Sequence, residues 1–119
     1  MRRLVLFVRD RDALEDKMQD LLQDPAYQGI LFVETIDLRE PQRIEQKFQN
    51  AMMRAFQGVL DTVILCHGVV VEKGLITCTI PNFDQSMLVN VRSMMHLVSL
   101  SVPFLKVQPK SSITILTSA

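Results

Sequence analysis

The sequence predicts an α/β fold with a parallel sheet and helices on both of its faces. Four short apolar runs are separated by three longer segments whose apolar residues recur at helical spacing. Apolar runs that do not alternate with polar residues are typical of strands buried on both faces. Strands that alternate with helices favour parallel pairing through right-handed crossovers. The predicted strands lie near residues 3–8, 30–34, 61–66 and 112–117, and the predicted helices near 11–23, 40–57 and 83–105.

The first strand is the apolar run Leu4–Val8, which ends at a cluster of charged residues. Asp10 or Asp12 is the expected N-cap of the first helix, because a side-chain oxygen there accepts a hydrogen bond from a free backbone N–H. Pro25 ends this helix, since the residue before a proline is driven away from helical geometry. The apolar residues of the helix are Leu14, Met18, Leu21 and Leu22.

The second strand and helix lie between Gly29 and Gly58. Ile30–Val33 is the second apolar run, and Asp37 with Pro41 indicates the start of the second helix. Gly58 stands where a C-cap would end that helix. The apolar stripe of the helix has a spacing of four residues: Ile44, Phe48, Met52 and Phe56.

The third and fourth strands flank the longest predicted helix. Thr62–Cys66 is the third apolar run, and Asn82 or Asp84 is the expected cap of the helix that follows. Pro103 is expected to kink or fray the last turn. Ile113–Leu116 then forms the fourth strand.

Composition and charge limit the classes of protein to consider. The 119 residues suit a single domain over residues 1–119, and 13 basic against 13 acidic residues give no net charge. A neutral chain offers no basic surface to a phosphate backbone, so we expect no nucleic-acid partner. The apolar runs fall short of the roughly 20 residues that span a bilayer, so we expect no membrane span and a cytoplasmic location. Cys66 and Cys78 have no CxxC pairing, which indicates free thiols and no metal site.

Four segments of the sequence occur in the order of one known family: Leu4–Arg9 with Asp12–Glu15, Ile36–Leu38, Leu60–Gly68, and Met87–Ser93 leading to Ile113–Ser118. Together they resemble the short-chain dehydrogenase/reductase family over nearly the whole chain. The resemblance implies a partial Rossmann-like three-layer αβα fold, in which the four strands match the family's second to fifth strands. It also implies oxidoreduction of a small carbonyl or alcohol substrate, with a nicotinamide cofactor, in the complete protein.

The resemblance places cofactor contacts after the first two strands. Arg9 would hold a 2′-phosphate with its guanidinium fork, which favours NADP over NAD. The alternative is a solvated arginine beside a competing acid, Asp10. Asp37, followed by Leu38, would accept a hydrogen bond from the adenine, although an N-cap role would explain Asp37 as well.

The resemblance places Cys66, His67 and Gly68, after the third strand, under the cofactor's ribose, where a glycine lets the backbone approach closely. Only the glycine of the family's Asn-Asn-Ala-Gly turn is kept. His67 replaces a small residue and has no visible carboxylate partner, so packing or a ribose contact is favoured over catalysis. Cys66 is expected to be a buried small side chain rather than a nucleophile.

Asn90 and Ser118 match two catalytic residues of the family. An amide side chain such as that of Asn90 is unfavourable within a helix unless it satisfies another group. In the family this asparagine holds a helix distortion and a water of the proton relay, and the alternative is simple surface exposure. Ser118 matches the serine that hydrogen-bonds the substrate carbonyl, and as the penultimate residue it is expected to be mobile.

Two motifs that the family needs are missing from the sequence. None of the four glycines forms a GxxxGxG or GxGxxG turn, so a pyrophosphate site is missing. The one tyrosine, Tyr27, has Leu31 four residues later, so the Tyr-x-x-x-Lys pair that supplies the proton is missing as well. The family's central first strand also has no counterpart. The edges of strands Leu4–Val8 and Thr62–Cys66 must therefore pair with each other or stay open.

Three hypotheses remain. The first is a truncated form of an NADP-dependent short-chain dehydrogenase/reductase, inactive as it stands, with weak or lost NADP binding. The second is a non-enzymatic interaction module, which pairs with a full-length relative or with itself as a homo-oligomer through the helix at 83–105. Against the second, Met94, Met95 and Val98 are more simply explained as core. The third, a flavodoxin-like domain, is disfavoured because no phosphate loop or acidic triad follows the strands.

Overall fold

The computed structural model describes residues 3–68 and 78–116 and contains the predicted strands and helices in the predicted order. It also contains two π-helical turns, at Met52–Phe56 and Leu88–Arg92. The chain divides into two compact units, residues 1–37 with 42–59 and residues 38–41 with 60–119. The assignment of residues 1–119 to one domain stays a prediction. The elements are β1 (Leu4–Val8), α1 (Arg11–Gln23), β2 (Leu31–Thr35), α2 (Pro41–Ala51), β3 (Thr62–Leu65), α3 (Ile80–Met87), α4 (Ser93–Leu105) and β4 (Ser112–Ile115).

The first unit contains a parallel sheet of β1 and β2, in which Leu4 lies opposite Leu31 and Val8 opposite Thr35. Helix α1 begins at a side-chain cap, since the Asp10 carboxylate accepts a hydrogen bond from a backbone N–H of the first turn at 3.1 Å. The buried apolar residues of this unit come from α2 and its neighbours: Ile36, Ile44, Phe48, Ala51, Met52 and Ala55.

The end of α2 departs from regular α geometry. The chain changes to a π-helical turn at Met52, which breaks the four-residue spacing of the apolar stripe. At the end of the stripe Ala55 is buried and Phe56 is half-buried. Gln57 and Gly58 then take the left-handed conformation with φ of 53° and 82°, which ends the helix near the predicted glycine.

The second unit contains a parallel sheet of β3 and β4 and the long helix formed by α3, the π-helical turn and α4. Thr62 lies opposite Ser112, and Leu65 opposite Ile115. The long helix continues past Pro103 to Leu105 rather than fraying there. Its buried residues are spaced by four: Val89, Ser93, Leu97, Ser101 and Leu105.

The start of the long helix lies earlier than the sequence predicts. Thr79, and neither Asn82 nor Asp84, is the N-cap, because the Thr79 hydroxyl accepts a hydrogen bond from the Asn82 N–H at 3.3 Å. Proline follows within the first turn, where its missing N–H costs nothing. The cap was missed because Ile80 and Pro81 separate the threonine from the periodic segment by which the helix was recognised.

The long helix also meets the length and composition of a membrane span. Over Ile80–Leu105 it has 26 residues and an 18-residue window of mean hydropathy 1.3, of which 28% is buried. Core helices of soluble proteins meet the same test, and this one carries Asp84 and Arg92 along its length. A span is therefore not demonstrated by this helix.

The strands are less buried than expected. Among the described strand residues Leu65 alone is buried, and Ile64 is 60% exposed. Within the described residues β1 pairs only with β2, and β3 only with β4. Within the described residues each two-stranded sheet therefore keeps unpaired strand edges.

Candidate functional site

The first unit brings two of the predicted cofactor residues to one edge of its sheet. Because β1 and β2 are parallel and end in register at Val8 and Thr35, the chain leaves both strands at the same edge. Arg9 follows Val8 directly and is exposed. Asp37 stands two residues after Thr35 and is half-buried. The carboxyl edge of a parallel sheet is where ligands of α/β proteins bind, so this pair is suitably placed.

The structure changes the interpretation of two acidic residues, Asp10 and Asp37. The Asp10 carboxylate serves as the cap of α1, so it has a structural task next to Arg9. Asp37 is not the N-cap of α2, because that helix begins at Pro41. Leu38 follows Asp37 in a turn and is half-buried. The N-cap alternative for Asp37 is therefore removed.

The second unit brings His67, Gly68 and Asn90 together at the carboxyl end of β3. A Cβ built on Gly68 would lie 3.4 Å from the Asn90 side-chain oxygen, so the long helix and the turn after β3 are in close contact. The imidazole Nε2 of His67 lies 2.9 Å from the Ser93 hydroxyl, one turn further along the same helix. Two consecutive residues of the turn therefore contact the helix around its π-helical turn.

The hydrogen bonds determine the tautomer of His67. Ser93 donates its single hydroxyl proton to the backbone carbonyl of Val89. The imidazole must then donate to the Ser93 oxygen, so Nε2 carries the proton and Nδ1 keeps its lone pair. Burial lowers the pKa of His67 below 6.5, and an opposing contribution from the Val89 carbonyl is smaller. The neutral imidazole is therefore the dominant form at neutral pH.

Asn90 lies in the middle of the π-helical turn Leu88–Arg92. The helix distortion that the resemblance implies at this residue is therefore present. The Asn90 carboxamide donates to the Ser86 hydroxyl at 3.1 Å and is half-buried, so it is not simply exposed at the surface. Its part in a proton relay stays a prediction.

Other predicted residues are placed differently or not described. Cys66 is exposed, so its expected burial as a small apolar side chain is wrong. Both cysteines are free thiols, as predicted. Ser118 lies outside the described residues.

Ser93 is the site residue that the sequence analysis missed. It is 1% exposed, although serine is a polar residue, and it stands in the four-residue register of the buried helix face. That register was the available signal, because a hydroxyl on the buried face of a helix needs a hydrogen-bond partner. Within the part of the chain that the structure describes, no group of three His, Cys, Asp or Glu residues could hold a metal ion.

The residues present fit only part of a nicotinamide dinucleotide. A guanidinium and a carboxylate at the edge of the first sheet suit the phosphate and amine groups of the adenosine half. The sequence contains no glycine-rich turn to present backbone N–H groups to the pyrophosphate. No step of a reaction can therefore be assigned to a cofactor held by this chain alone.

Parallel strand pairs joined through helices, with polar residues at their carboxyl ends, define a Rossmann-like α/β protein. A family model described as enoyl-(acyl carrier protein) reductase matches residues 2–119. The chain belongs to this family of short-chain dehydrogenases/reductases. No curated protein sequence matches it significantly.

Solved structures share the fold over part of their length. An alcohol dehydrogenase from the archaeon Thermococcus sibiricus, complexed with 5-hydroxy-NADP, has a TM-score of 0.80 at 23% identity, over 98% of this chain and 47% of its own. A glucose/ribitol dehydrogenase of the short-chain type from Brucella melitensis has a TM-score of 0.78 at 22% identity, over 98% and 46%. A 3-ketoacyl-ACP reductase from Sinorhizobium meliloti 1021 has a TM-score of 0.78 at 19% identity, over 96% and 43%. The chain thus spans less than half the length of these structures.

Proposed function

We propose that this chain is a partial, NADP-type short-chain dehydrogenase/reductase that catalyses no hydride transfer by itself. The complete protein would interconvert a small carbonyl compound and an alcohol in the cytoplasm. The single observation that carries the proposal is the shared sheet edge that presents Arg9 and Asp37 after paired parallel strands. A guanidinium at that place suits a 2′-phosphate, which only NADP has.

The inactivity of the isolated chain follows from missing groups. A carbonyl reduction needs an acid with a suitable pKa beside the carbonyl oxygen, and the sequence has no Tyr-x-x-x-Lys pair to supply it. The pyrophosphate turn is also missing, so a cofactor would not be held in a reactive position. General acid catalysis alone contributes roughly 10²–10⁴-fold to a rate, and several contributions are lost together.

The test is an assay of the purified chain with NADPH and a panel of small ketones and aldehydes. We expect no oxidation of NADPH above the buffer blank. Turnover above the blank that is abolished by Ser118→Ala would contradict the proposal, because it would show a working catalytic site. The same panel assayed with an unrelated active reductase serves as the positive control.

A second candidate function is an interaction module, and the exposed face of the long helix favours it. Phe83, Met87, Val91 and Met95 are spaced by four residues and are 55%, 42%, 43% and 69% exposed. This apolar ridge corrects the expectation that Met95 belongs to the core. A row of exposed apolar side chains at this spacing is unusual for a surface without a partner.

The ridge suits a second copy of the chain because it is self-complementary. With a two-fold axis midway between Met87 and Val91, Met87 would lie beside the partner's Val91 and Phe83 beside the partner's Met95. Ridges of this spacing pack into each other's grooves in the commonest helix-helix geometry. The same axis would bring the partner's Arg92 within about two residues, or about 3 Å along the helix axis, of Asp84. The charges beside the ridge are therefore complementary.

Sedimentation analysis tests this second candidate. We expect the chain to form a dimer that Val91→Glu converts to a monomer, because the change places two carboxylates near the two-fold axis. Met53→Glu is the matched control, since Met53 is 71% exposed and lies in the other unit. A wild-type chain that stays monomeric, or that sediments only with lipid vesicles, would contradict self-association without affecting the enzymatic proposal.

A further inference from the structure

The π-helical turn at Leu88–Arg92 changes which backbone groups are paired in the long helix. In a regular α-helix the Ser93 N–H would bond to the carbonyl of Val89, four residues earlier. Here the Ser93 N–H bonds instead to the carbonyl of Leu88. The Val89 carbonyl consequently loses its regular backbone donor while lying on the buried face of the helix.

The side chain of Ser93 replaces that donor, and the side chain of His67 contacts Ser93. The Ser93 hydroxyl donates to the Val89 carbonyl, and the His67 imidazole lies 2.9 Å from the same hydroxyl. An unpaired carbonyl in a buried place is unfavourable, so a hydroxyl that pairs with it favours the π-helical geometry over the α-helical alternative. The described part of the chain has no buried side-chain nitrogen or oxygen atom without a partner.

We propose that His67 and Ser93 form a clasp that keeps the long helix in its π-helical turn and thereby holds Asn90 against the turn after β3. His67 supplies the N–H that fixes the Ser93 hydroxyl in its orientation toward Val89. Both residues are positioning residues, since their effect on Asn90 passes through the helix backbone. This clasp does not depend on the proposed oxidoreductase activity.

The clasp determines where Asn90 points. A π-helical turn holds one residue more than a turn of α-helix. If the turn changed to α-helix, the two halves of the helix would rotate relative to each other by about 100°. The half after the turn has four buried residues, Ser93, Leu97, Ser101 and Leu105, whereas the half before Asn90 has only Val89. The rotation should therefore fall on the first half and move the Asn90 carboxamide away from Gly68.

The same helix contains a matched control for the test. Ser101 is 0% exposed and its hydroxyl donates to the carbonyl four residues earlier, that of Leu97, at 2.6 Å. It therefore shares the burial and hydrogen-bond pattern of Ser93, but it lies in regular α-helix. Ser93→Thr keeps the hydroxyl and provides a conservative variant for rescue.

NMR spectroscopy of the full chain tests the clasp. In the wild type we expect His67 to be the Nε2–H tautomer at neutral pH and a cross-peak to connect the Asn90 side chain with Gly68. Ser93→Ala and His67→Leu should each remove that cross-peak, whereas Ser101→Ala and Ser93→Thr should keep it. An Nδ1–H tautomer in the wild type, which needs no variant to fold, would overturn the proposal. So would a cross-peak that persists in folded Ser93→Ala.

Discussion

The difference in burial between two isoleucines leads to a sharp prediction about stability. Ile44 in α2 is 1% exposed, whereas Ile64 in β3 is 60% exposed. Truncating a fully buried isoleucine to alanine costs about 2–5 kcal/mol, because both its burial and the space it filled are lost. Complete burial of such a side chain is worth about 1.5–3 kcal/mol, so an isoleucine that keeps two fifths of it buried should lose roughly 1 kcal/mol or less.

Urea unfolding followed by circular dichroism measures both costs on one chain. We expect Ile44→Ala to lower the free energy of unfolding by about 3 kcal/mol, and Ile64→Ala by about 1 kcal/mol or less. Ile64→Thr keeps a β-branched side chain and should be close to neutral, which separates strand propensity from burial. The reasoning is refuted if Ile64→Thr costs about 2 kcal/mol or more, because Ile64 would then be covered in solution.

Three further predictions concern single residues. Burial lowers the pKa of His67 in the folded chain, so its contribution to stability is present above pH 6.5 and is lost as the pH falls below that value. The loss of stability below pH 6.5 should disappear in His67→Gln and persist in His96→Gln, as measured by thermal unfolding at several pH values. Gly68→Ala should leave stability nearly unchanged, since the new Cβ would lie 3.4 Å from the Asn90 oxygen, whereas Gly68→Val should lower the melting temperature. Asp10→Ala removes the cap of α1 and should lower the free energy of unfolding in urea by about 1 kcal/mol. Unchanged stability would contradict this expectation.

Much of the fold was predictable because the spacing of hydrophobic residues indicates the type of secondary structure. The apolar run Thr62–Cys66 predicted β3, and the four-residue spacing from Ile44 to Met52 predicted α2 and its buried face. The parallel pairing followed from the alternation of strands and helices, and both sheets confirm it. The degree of burial of the strand side chains was not predictable, because it depends on which elements cover the faces of each sheet.

The candidate site was predictable only for residues that could be selected by both their type and their position after a strand or within the long helix. His67, Gly68 and Asn90 were selected from the sequence, and the structure places them in contact across β3 and the long helix. Ser93 was missed because a serine within an apolar helix gives no sign of its partner. Helical periodicity does not report the π-helical turn Leu88–Arg92, which directly precedes Ser93.

Affinity for NADPH tests the central proposal, which is that this chain keeps the adenosine-side contacts of its family and lacks the phosphate contacts. Each hydrogen bond to a charged group contributes roughly 1.5–3 kcal/mol, so the loss of two or three should weaken binding by about two to four orders of magnitude or more. Starting from a site of about micromolar affinity, titration calorimetry of the purified chain should give a dissociation constant in the millimolar range or no detectable binding. A dissociation constant of about 10 μM or tighter would contradict the account, because some other part of the sequence would then have to bind the pyrophosphate.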